Sequence, residues 1–296
     1  ATEWAQTGLI QRIRRRLGRA SPPAAATDPA NYISGAATDH FNRYEEDAEI
    51  AADIGLNALR FSLAWSRLQP TPGALDDDAV AHYREKLHEL RDRGIEPMVT
   101  VWHYAHPQWF VDDYGWHHAL APAKFRAYTE RVADAFGDLV TYWITMNEPA
   151  AYVRSAYIFD GFPPARTKIW QAPRAWRNLV RAHRLAYDTL SEGDTRVGVS
   201  LATGSFEPYT DTVCNRTLAD LLRTLEHDAF LRGLLPALDF IGINYYIEYR
   251  ADVLGRNILW GSPRRSDMGW PLSPGGLEAL CKRLAEYDLP LVITEH

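Results

Sequence analysis

Residues 140–149, VTYWITMNEP, contain the pattern that decides the predicted fold of this chain. The apolar residues 140–144 predict a buried β-strand, and Asn147 and Glu148 follow where that strand ends. A second carboxyl group, Glu295, follows another apolar run, residues 289–293, in the same way. The pattern therefore predicts an amide and two carboxyl groups at the ends of two different strands.

Outward from this strand, helix and strand patterns alternate along the chain from residue 44 onward. The predicted strands are residues 56–62, 95–103, 140–144, 197–201, 238–246 and 289–294. Amphipathic helices separate them, and no hairpin signal joins any two, which indicates an α/β fold with a parallel sheet. Functional side chains in such folds collect at the carboxyl ends of the strands. The side chains predicted there are Arg60, His103, Glu148, Tyr246 and Glu295.

Length and composition exclude several functional classes. A chain of 296 residues with 46% hydrophobic and 24% charged residues is typical of one large globular domain. No apolar stretch approaches the roughly eighteen residues of a membrane helix, and a net charge of -6 argues against nucleic acid as the main partner. Two cysteines imply no disulfide framework, which fits a reducing, cytoplasmic compartment. The 10 tryptophans and 15 tyrosines indicate either a large aromatic core or a cleft lined for sugar rings.

The sequence predicts a short N-terminal segment followed by one large domain. Residues 1–34 interleave arginines with apolar residues and then become rich in proline and alanine, which is typical of a surface segment and loop. A short amphipathic helix on a membrane surface is the alternative, but its apolar part is short. Residues 35–296 form the predicted (β/α) barrel domain of about six strands.

The chain also contains four histidines within sixteen positions, which suggest a metal site at first sight: His103, His106, His117 and His118. His103 and His106 stand at a strand end and loop, not on one helix face, and no cysteine lies near them, so no metal is expected. These histidines, with Tyr104, Trp109 and Trp116, are instead expected to form a polar and aromatic rim.

An ordered set of segments carries a family resemblance. It consists of residues 44–47 (YEED), 57–62 (NALRFS), 65–67 (WSR), His103, 145–149 (TMNEP), 239–246 (DFIGINYY), 267–270 (DMGW) and 293–295 (ITE). In this order the segments resemble glycoside hydrolase family 1, the retaining β-glucosidases and β-galactosidases. The resemblance extends from about residue 35 to the end of the chain.

The resemblance implies a (β/α)8 TIM barrel and a double-displacement mechanism without a cofactor. It implies that Glu148 is the acid/base and Glu295 the nucleophile, two carboxyl groups about 5 Å apart in retaining enzymes. Arg60 and Tyr246 would supply the cation and the hydrogen-bond donor that keep the nucleophile ionised.

The substrate implied is a small β-glycoside. Asn147 would bond the sugar 2-hydroxyl and His103 the glycone, whereas Asn244 either contacts the ligand or holds Tyr246 and its neighbours in place. Tyr104 and Trp270 are the further expected substrate-binding residues, although burial of Trp270 in the core is equally consistent with the sequence. Neither nucleic acid nor a membrane is expected as a partner, and assembly into a homo-oligomer is left open.

Three departures from the family pattern bear on the barrel. The opening strand with its glycone-binding glutamine is absent, His296 stands where Asn-Gly usually follows the nucleophile, and the eighth strand is missing. Six strands cannot close an eight-stranded barrel. The expected explanation is a longer polypeptide; a partner that supplies the strands, or an abnormal barrel, are the alternatives. If these residues were the whole protein, we expect little hydrolase activity, and a catalytically weak or inactive sugar-binding scaffold is the alternative function.

Overall fold

The computed structural model describes residues 37–158, 169–254, 258–260, 262–266 and 269–296. The predicted N-terminal segment, residues 1–34, and two residues of the 267–270 segment lie outside the described residues. The chain separates into two compact units. Of the described residues, the larger unit contains those within His40–Ala202, Ala229–Asn244 and Tyr287–His296, and the smaller contains residues 37–39 and those within Thr203–Asp228 and Tyr245–Glu286.

The helices and strands alternate along the described chain as predicted. Their order is α1 (Tyr44–Asp53), β1 (Ala58–Ser62), α2 (Trp65–Leu68), α3 (Asp77–Asp92), β2 (Glu96–Trp102), α4 (Gln108–Asp113), α5 (Ala121–Phe136), β3 (Tyr142–Asn147), α6 (Pro149–Val153), α7 (Ala172–Leu190), β4 (Arg196–Pro208), α8 (Val213–Arg223), α9 (Ala229–Leu234), β5 (Phe240–Ala251), β6 (Ile258–Trp260), α10 (Pro274–Leu284) and β7 (Leu291–Glu295). Among the described helices, none is long and apolar enough to cross a membrane.

The larger unit is built on a parallel sheet. Strands β1, β2, β3 and β4 pair in parallel with their neighbours, β4 lies beside β5, and β7 pairs in parallel with β5. Each predicted strand overlaps one of these strands, although β4 continues to Pro208 and β5 to Ala251, past the predicted ends at residues 201 and 246. Parallel pairing brings the carboxyl ends of all six strands to one edge of the sheet.

Aromatic residues form much of the core of the larger unit. Trp65, Trp102, Trp116 and Trp143 are fully buried. Trp65 stacks on Tyr128 of α5, with ring centroids 4.7 Å apart. For these four tryptophans the aromatic content therefore reflects a core, and the expected place of Trp116 on a binding rim is wrong because no part of it is exposed.

The smaller unit contains a feature that the sequence did not signal. The short strand β6 pairs antiparallel with Glu248–Arg250, near the end of β5. The prediction that no hairpin interrupts the parallel pattern is therefore wrong in this unit, because the connection from β5 to β6 lacks the two-residue turn that marks tight hairpins. In the same unit a Cβ at Gly204 would lie 2.9 Å from the Ile247 carbonyl oxygen, so only glycine allows β4 and β5 to approach this closely there.

Helix α3 of the larger unit carries a buried lysine. Helix α3 places Lys86 at 4% exposure, with its Nζ 3.8 Å from the centre of the Phe61 ring. The Lys86 amine also contacts His40, whose other ring nitrogen contacts Asp47. Burial lowers the pKa of Lys86 to about 7, and the Asp47 carboxylate only partly opposes this effect.

This depressed pKa predicts a pH-dependent stability difference for Lys86→Met. The unfolded chain holds the lysine proton up to a pH of about 10.4, so below pH 7 the folded state carries the full cost of a buried charge. That cost disappears as pH rises from 7 toward 10. In urea titrations we expect the free energy of unfolding of Lys86→Met, relative to that of the unchanged chain, to be about 1–3 kcal/mol larger at pH 6 than at pH 9.5.

The exposed Lys282, paired with Glu278 on α10, provides the matched control. Lys282→Met should change stability by a small amount that varies little between the two pH values. If Lys86→Met changed the free energy of unfolding by the same amount at both pH values, the result would contradict a buried Lys86 amine that is charged at low pH.

Candidate active site

The carboxyl edge of the parallel sheet in the larger unit gathers most of the predicted site residues. Arg60 lies on β1, His103 and Tyr104 follow β2, Asn147 ends β3 with Glu148 next to it, Asn244 lies on β5 and Glu295 ends β7. The register of the sheet places Asn147 opposite Ser200 and Asn244 opposite Glu295. Residues that are far apart in sequence therefore meet because their strands are parallel and in register.

Glu148 stands at a sharp change of direction between β3 and α6. Its backbone is left-handed, with φ 46° and ψ 53°, and its N–H donates to the Ser200 carbonyl at 2.7 Å. Pro149 occupies the first turn of α6, where a missing N–H costs nothing. The left-handed conformation is uncommon for a residue other than glycine and clusters at functional sites.

Both oxygens of the Glu148 carboxyl accept hydrogen bonds. The Tyr104 hydroxyl donates to Oε2 at 2.5 Å, and the Asn244 amide Nδ2 donates to Oε1 at 2.8 Å. Burial raises the pKa of Glu148, the two hydrogen bonds oppose that effect, and the charge of Glu295 adds to it. Since the net shift is upward, Glu148 keeps its proton to higher pH than an ordinary glutamic acid.

The Arg60 guanidinium joins four strands at the centre of the site. Its Nη1 donates to Glu295 Oε1 at 2.5 Å and to the Thr294 carbonyl at 3.2 Å. Its Nη2 donates to Asn147 Oδ1 at 2.6 Å, and its Nε to Thr100 Oγ1 at 3.1 Å. The side chain is 15% exposed, so this pair with Glu295 is poorly screened by water and favours the carboxylate form of Glu295.

These contacts determine the protonation of His103. Because Arg60 can only donate, the Asn147 amide must present its oxygen to Arg60 and its Nδ2 to His103 Nε2, 3.0 Å away. His103 Nε2 therefore accepts, and Nδ1 carries the hydrogen and donates to Ser62 Oγ at 2.9 Å. Burial, with Arg60 nearby, lowers the pKa of His103, which agrees with a neutral imidazole.

The hydrogen bonds of Asn244 hold neighbouring side chains in position. Asn244 is fully buried, and besides Glu148 its Nδ2 reaches Asn147 Oδ1 at 3.1 Å. Its own Oδ1 accepts from Thr294 Oγ1 at 2.5 Å. Of the two roles left open by the sequence, these contacts favour holding neighbouring side chains over direct ligand contact, although the residue held is Glu148.

Two predicted residues lie in the smaller unit. Tyr246 follows Asn244 by two positions on β5, and its ring centroid lies 5.6 Å from that of Trp270. The predicted support of the nucleophile by Tyr246, and of substrate by Trp270, remain predictions.

Sequence reasoning missed three hydroxyl residues that orient the site: Ser62, Thr100 and Thr294. Each bonds a predicted site residue: His103, Arg60 and Asn244 respectively. A usable signal was present, since Thr100 is a single hydroxyl within the apolar run of β2. As for metals, within the described ranges no group of three or more histidine, cysteine or acidic side chains is arranged to hold an ion.

Comparison with known proteins gives consistent similarities. The sequence profile of "Glycosyl hydrolase family 1" matches residues 23–235. Beta-glucosidase A of Thermotoga maritima is 29% identical, over 90% of this chain and 70% of its own length. The 1,4-beta-D-glucan glucohydrolase of Thermotoga neapolitana is 27% identical, over 90% of this chain and 73% of its own length.

Solved structures show the same similarity in three dimensions. A β-glucosidase from Thermotoga maritima in complex with glucoimidazole superposes with a TM-score of 0.80 at 26% identity. A β-glycosidase from Pyrococcus horikoshii superposes with a TM-score of 0.79 at 30% identity. Both alignments cover 86% of this chain and 66% of the solved chain, so this chain spans just under two thirds of their length. The predicted TIM-barrel fold class is confirmed, and the part of the chain that the structure describes contains six of its parallel strands.

Proposed function

Because this chain belongs to glycosyl hydrolase family 1, we propose that it hydrolyses β-glucosides or related small β-glycosides by double displacement, with retention at the anomeric carbon. One observation carries the proposal: the site holds two carboxyl groups in opposite electrostatic surroundings. Glu148 is desolvated and has a raised pKa, whereas Glu295 is paired with Arg60 at 2.5 Å. Carboxyl groups whose surroundings differ in this way are suited to the acid and nucleophile roles.

In the first step, Glu295 attacks the anomeric carbon while Glu148 gives its proton to the glycosidic oxygen. The carbon–oxygen bond to the leaving group breaks, and a covalent glycosyl-enzyme forms on Glu295. Arg60 favours the ionised, attacking form of Glu295 and is held in place by Asn147 and Thr100. The Asn147 amide would bond the sugar 2-hydroxyl, an interaction that strengthens in the transition state.

In the second step, the charge of Glu295 is gone because it is esterified. Since that charge raises the pKa of Glu148, its loss lowers the pKa and favours the carboxylate. Glu148 then takes a proton from water, which attacks the anomeric carbon and releases Glu295. The same residue therefore serves as acid and then as base, without a cofactor.

Names of relatives add support. Relatives in Thermotoga species are called β-glucosidase and 1,4-β-D-glucan glucohydrolase, and solved Thermotoga maritima structures hold glucoimidazole and deoxynojirimycin. The alternative of an inactive sugar-binding scaffold is less well supported, because both carboxyl groups and their hydrogen-bond partners are assembled.

The proposal predicts release of the aglycone from 4-nitrophenyl β-glucoside or the matching β-galactoside. Proton NMR of the early reaction should detect the β-anomer of the sugar before mutarotation, because two displacements retain configuration. The assay should use both the 296 residues alone and any longer polypeptide that carries them. First appearance of the α-anomer, or absence of hydrolysis in every form, would contradict it.

A further inference from the structure

Tyr104 combines a strained backbone with a direct contact to the acid/base residue. Its φ is 66°, which is uncommon for a bulky aromatic residue. Its hydroxyl lies 2.5 Å from Glu148 Oε2, and Glu148 is itself left-handed. Two left-handed residues after neighbouring strands thus meet through their side chains, and such conformations persist only where the surroundings enforce them.

Packing holds the Tyr104 ring in this position. The ring stacks on Tyr152 of α6, with centroids 5.9 Å apart and planes 27° apart. Trp102 contacts it edge-on at 6.0 Å, and His103 does so at 5.3 Å. Trp102 and Tyr152 are both buried, so the phenol has little freedom to leave Glu148.

We propose that Tyr104 is a positioning residue that controls when Glu148 releases and regains its proton, an inference that rests on the acid/base role proposed for Glu148. The hydrogen bond from Asn244 indicates which of the two Glu148 carboxyl oxygens carries the proton. The Asn244 amide N–H can only donate, and the carbonyl oxygen of a carboxylic acid accepts better than the hydroxyl oxygen, so this bond favours Oε1 as the unprotonated oxygen. The proton of neutral Glu148 therefore sits on Oε2, the oxygen that faces Tyr104.

A hydroxyl group suits this position because it can either accept or donate a hydrogen bond. When Oε2 is protonated, the Tyr104 oxygen can accept from it until a glycosidic oxygen takes the proton. When Oε2 has lost the proton, the phenol O–H donates to the carboxylate, and a charge-assisted bond of this kind is about twice as strong as a neutral one. By donating to the carboxylate, Tyr104 favours the ionised form of Glu148, against the effect of burial.

Tyr104→Phe tests this inference because it keeps the ring and removes only the hydroxyl. Without the donor, the carboxylate loses a stabilising bond, so the pKa of Glu148 should rise by about 0.5–1 unit. NMR titration of 13C-labelled glutamate side chains measures this directly, with Glu148→Gln identifying the resonance. Because the acid must be protonated to act, the basic limb of kcat/KM against pH should move up by a similar amount while the acidic limb stays.

Two further variants make the test specific. Site-specific 3-fluorotyrosine at position 104 keeps the packing and strengthens the donor, so the pKa of Glu148 should move down. Tyr128→Phe, on α5, removes a buried hydroxyl that has no hydrogen-bond partner and should leave the titration unchanged.

The outcomes separate this inference from the proposed function. An unchanged or lowered pKa of Glu148 in Tyr104→Phe would overturn the inference whether or not the protein hydrolyses glycosides. A raised pKa in a protein without hydrolysis would support the effect of Tyr104 on Glu148 and reject the proposed function. If Tyr104→Phe does not fold, the direction of the shift with 3-fluorotyrosine decides the question in the same way.

Discussion

Replacement of Glu295 by glycine is expected to lower the hydrolysis of an aryl β-glucoside by roughly four orders of magnitude or more, as loss of a catalytic nucleophile does in other enzymes. No covalent intermediate can form, because the attacking oxygen is gone. Arg60 loses its partner at 2.5 Å but keeps its bonds to Asn147 and Thr100, so the site should remain assembled around an empty space.

That space should accept a small anion. Azide or formate beside the Arg60 guanidinium can replace the missing carboxylate and attack an activated aryl glycoside directly. We expect rescue that rises with anion concentration, and with azide a glycosyl azide of inverted configuration, because only one displacement occurs. Steady-state kinetics and NMR of the product measure both.

Glu278→Gln is the control for this experiment, since Glu278 is an exposed carboxyl paired with Lys282 on α10. It should retain full activity and show no response to azide. A Glu295→Gly variant with an intact circular dichroism spectrum that azide and formate fail to rescue would argue against Glu295 as the nucleophile.

Glu148→Gln is expected to produce the second largest loss, about 10²- to 10⁴-fold for glycosides with poor leaving groups. Glutamine keeps the shape and an acceptor for Asn244, but its amide has no acidic proton to transfer to the glycosidic oxygen. Substrates such as a dinitrophenyl glycoside need no protonation, so their first step should be affected far less. The measurement is the dependence of kcat/KM on leaving-group pKa, which should become much steeper than in the unchanged protein.

Azide provides a second signature for Glu148. It needs no general base, so it should attack the accumulated glycosyl-enzyme and give a glycosyl azide of retained configuration, opposite to the product from Glu295→Gly. Glu130→Gln, which removes an exposed carboxyl paired with Arg126 on α5, should leave both measurements unchanged. Equal loss of activity for good and poor leaving groups would contradict the acid role.

The strands and their order were predictable because they depend on local patterns. All six parallel strands were marked by apolar runs that lie between glycines and amphipathic helix patterns. Parallel strands necessarily bring Glu148 and Glu295 to one edge of the sheet. The β5–β6 hairpin was not predictable, because its connection carries no tight-turn signal. Trp116 illustrates the same limit: a tryptophan in a loop-rich stretch can be rim or core, and only packing places it at 0% exposure.

By itself, the sequence determined which chemical groups stand at the strand ends and that two of them are carboxyl groups. Only the tertiary structure decided how those groups are paired. Arg60 and Glu295 are 235 positions apart. Their contact depends on the strand register and on the four hydrogen bonds that the Arg60 guanidinium donates to other strands. The neutral form of His103 and the Tyr104–Glu148 bond likewise follow from hydrogen-bond networks. A local pattern can encode where a strand ends, but not which side chains meet when distant strands pack together.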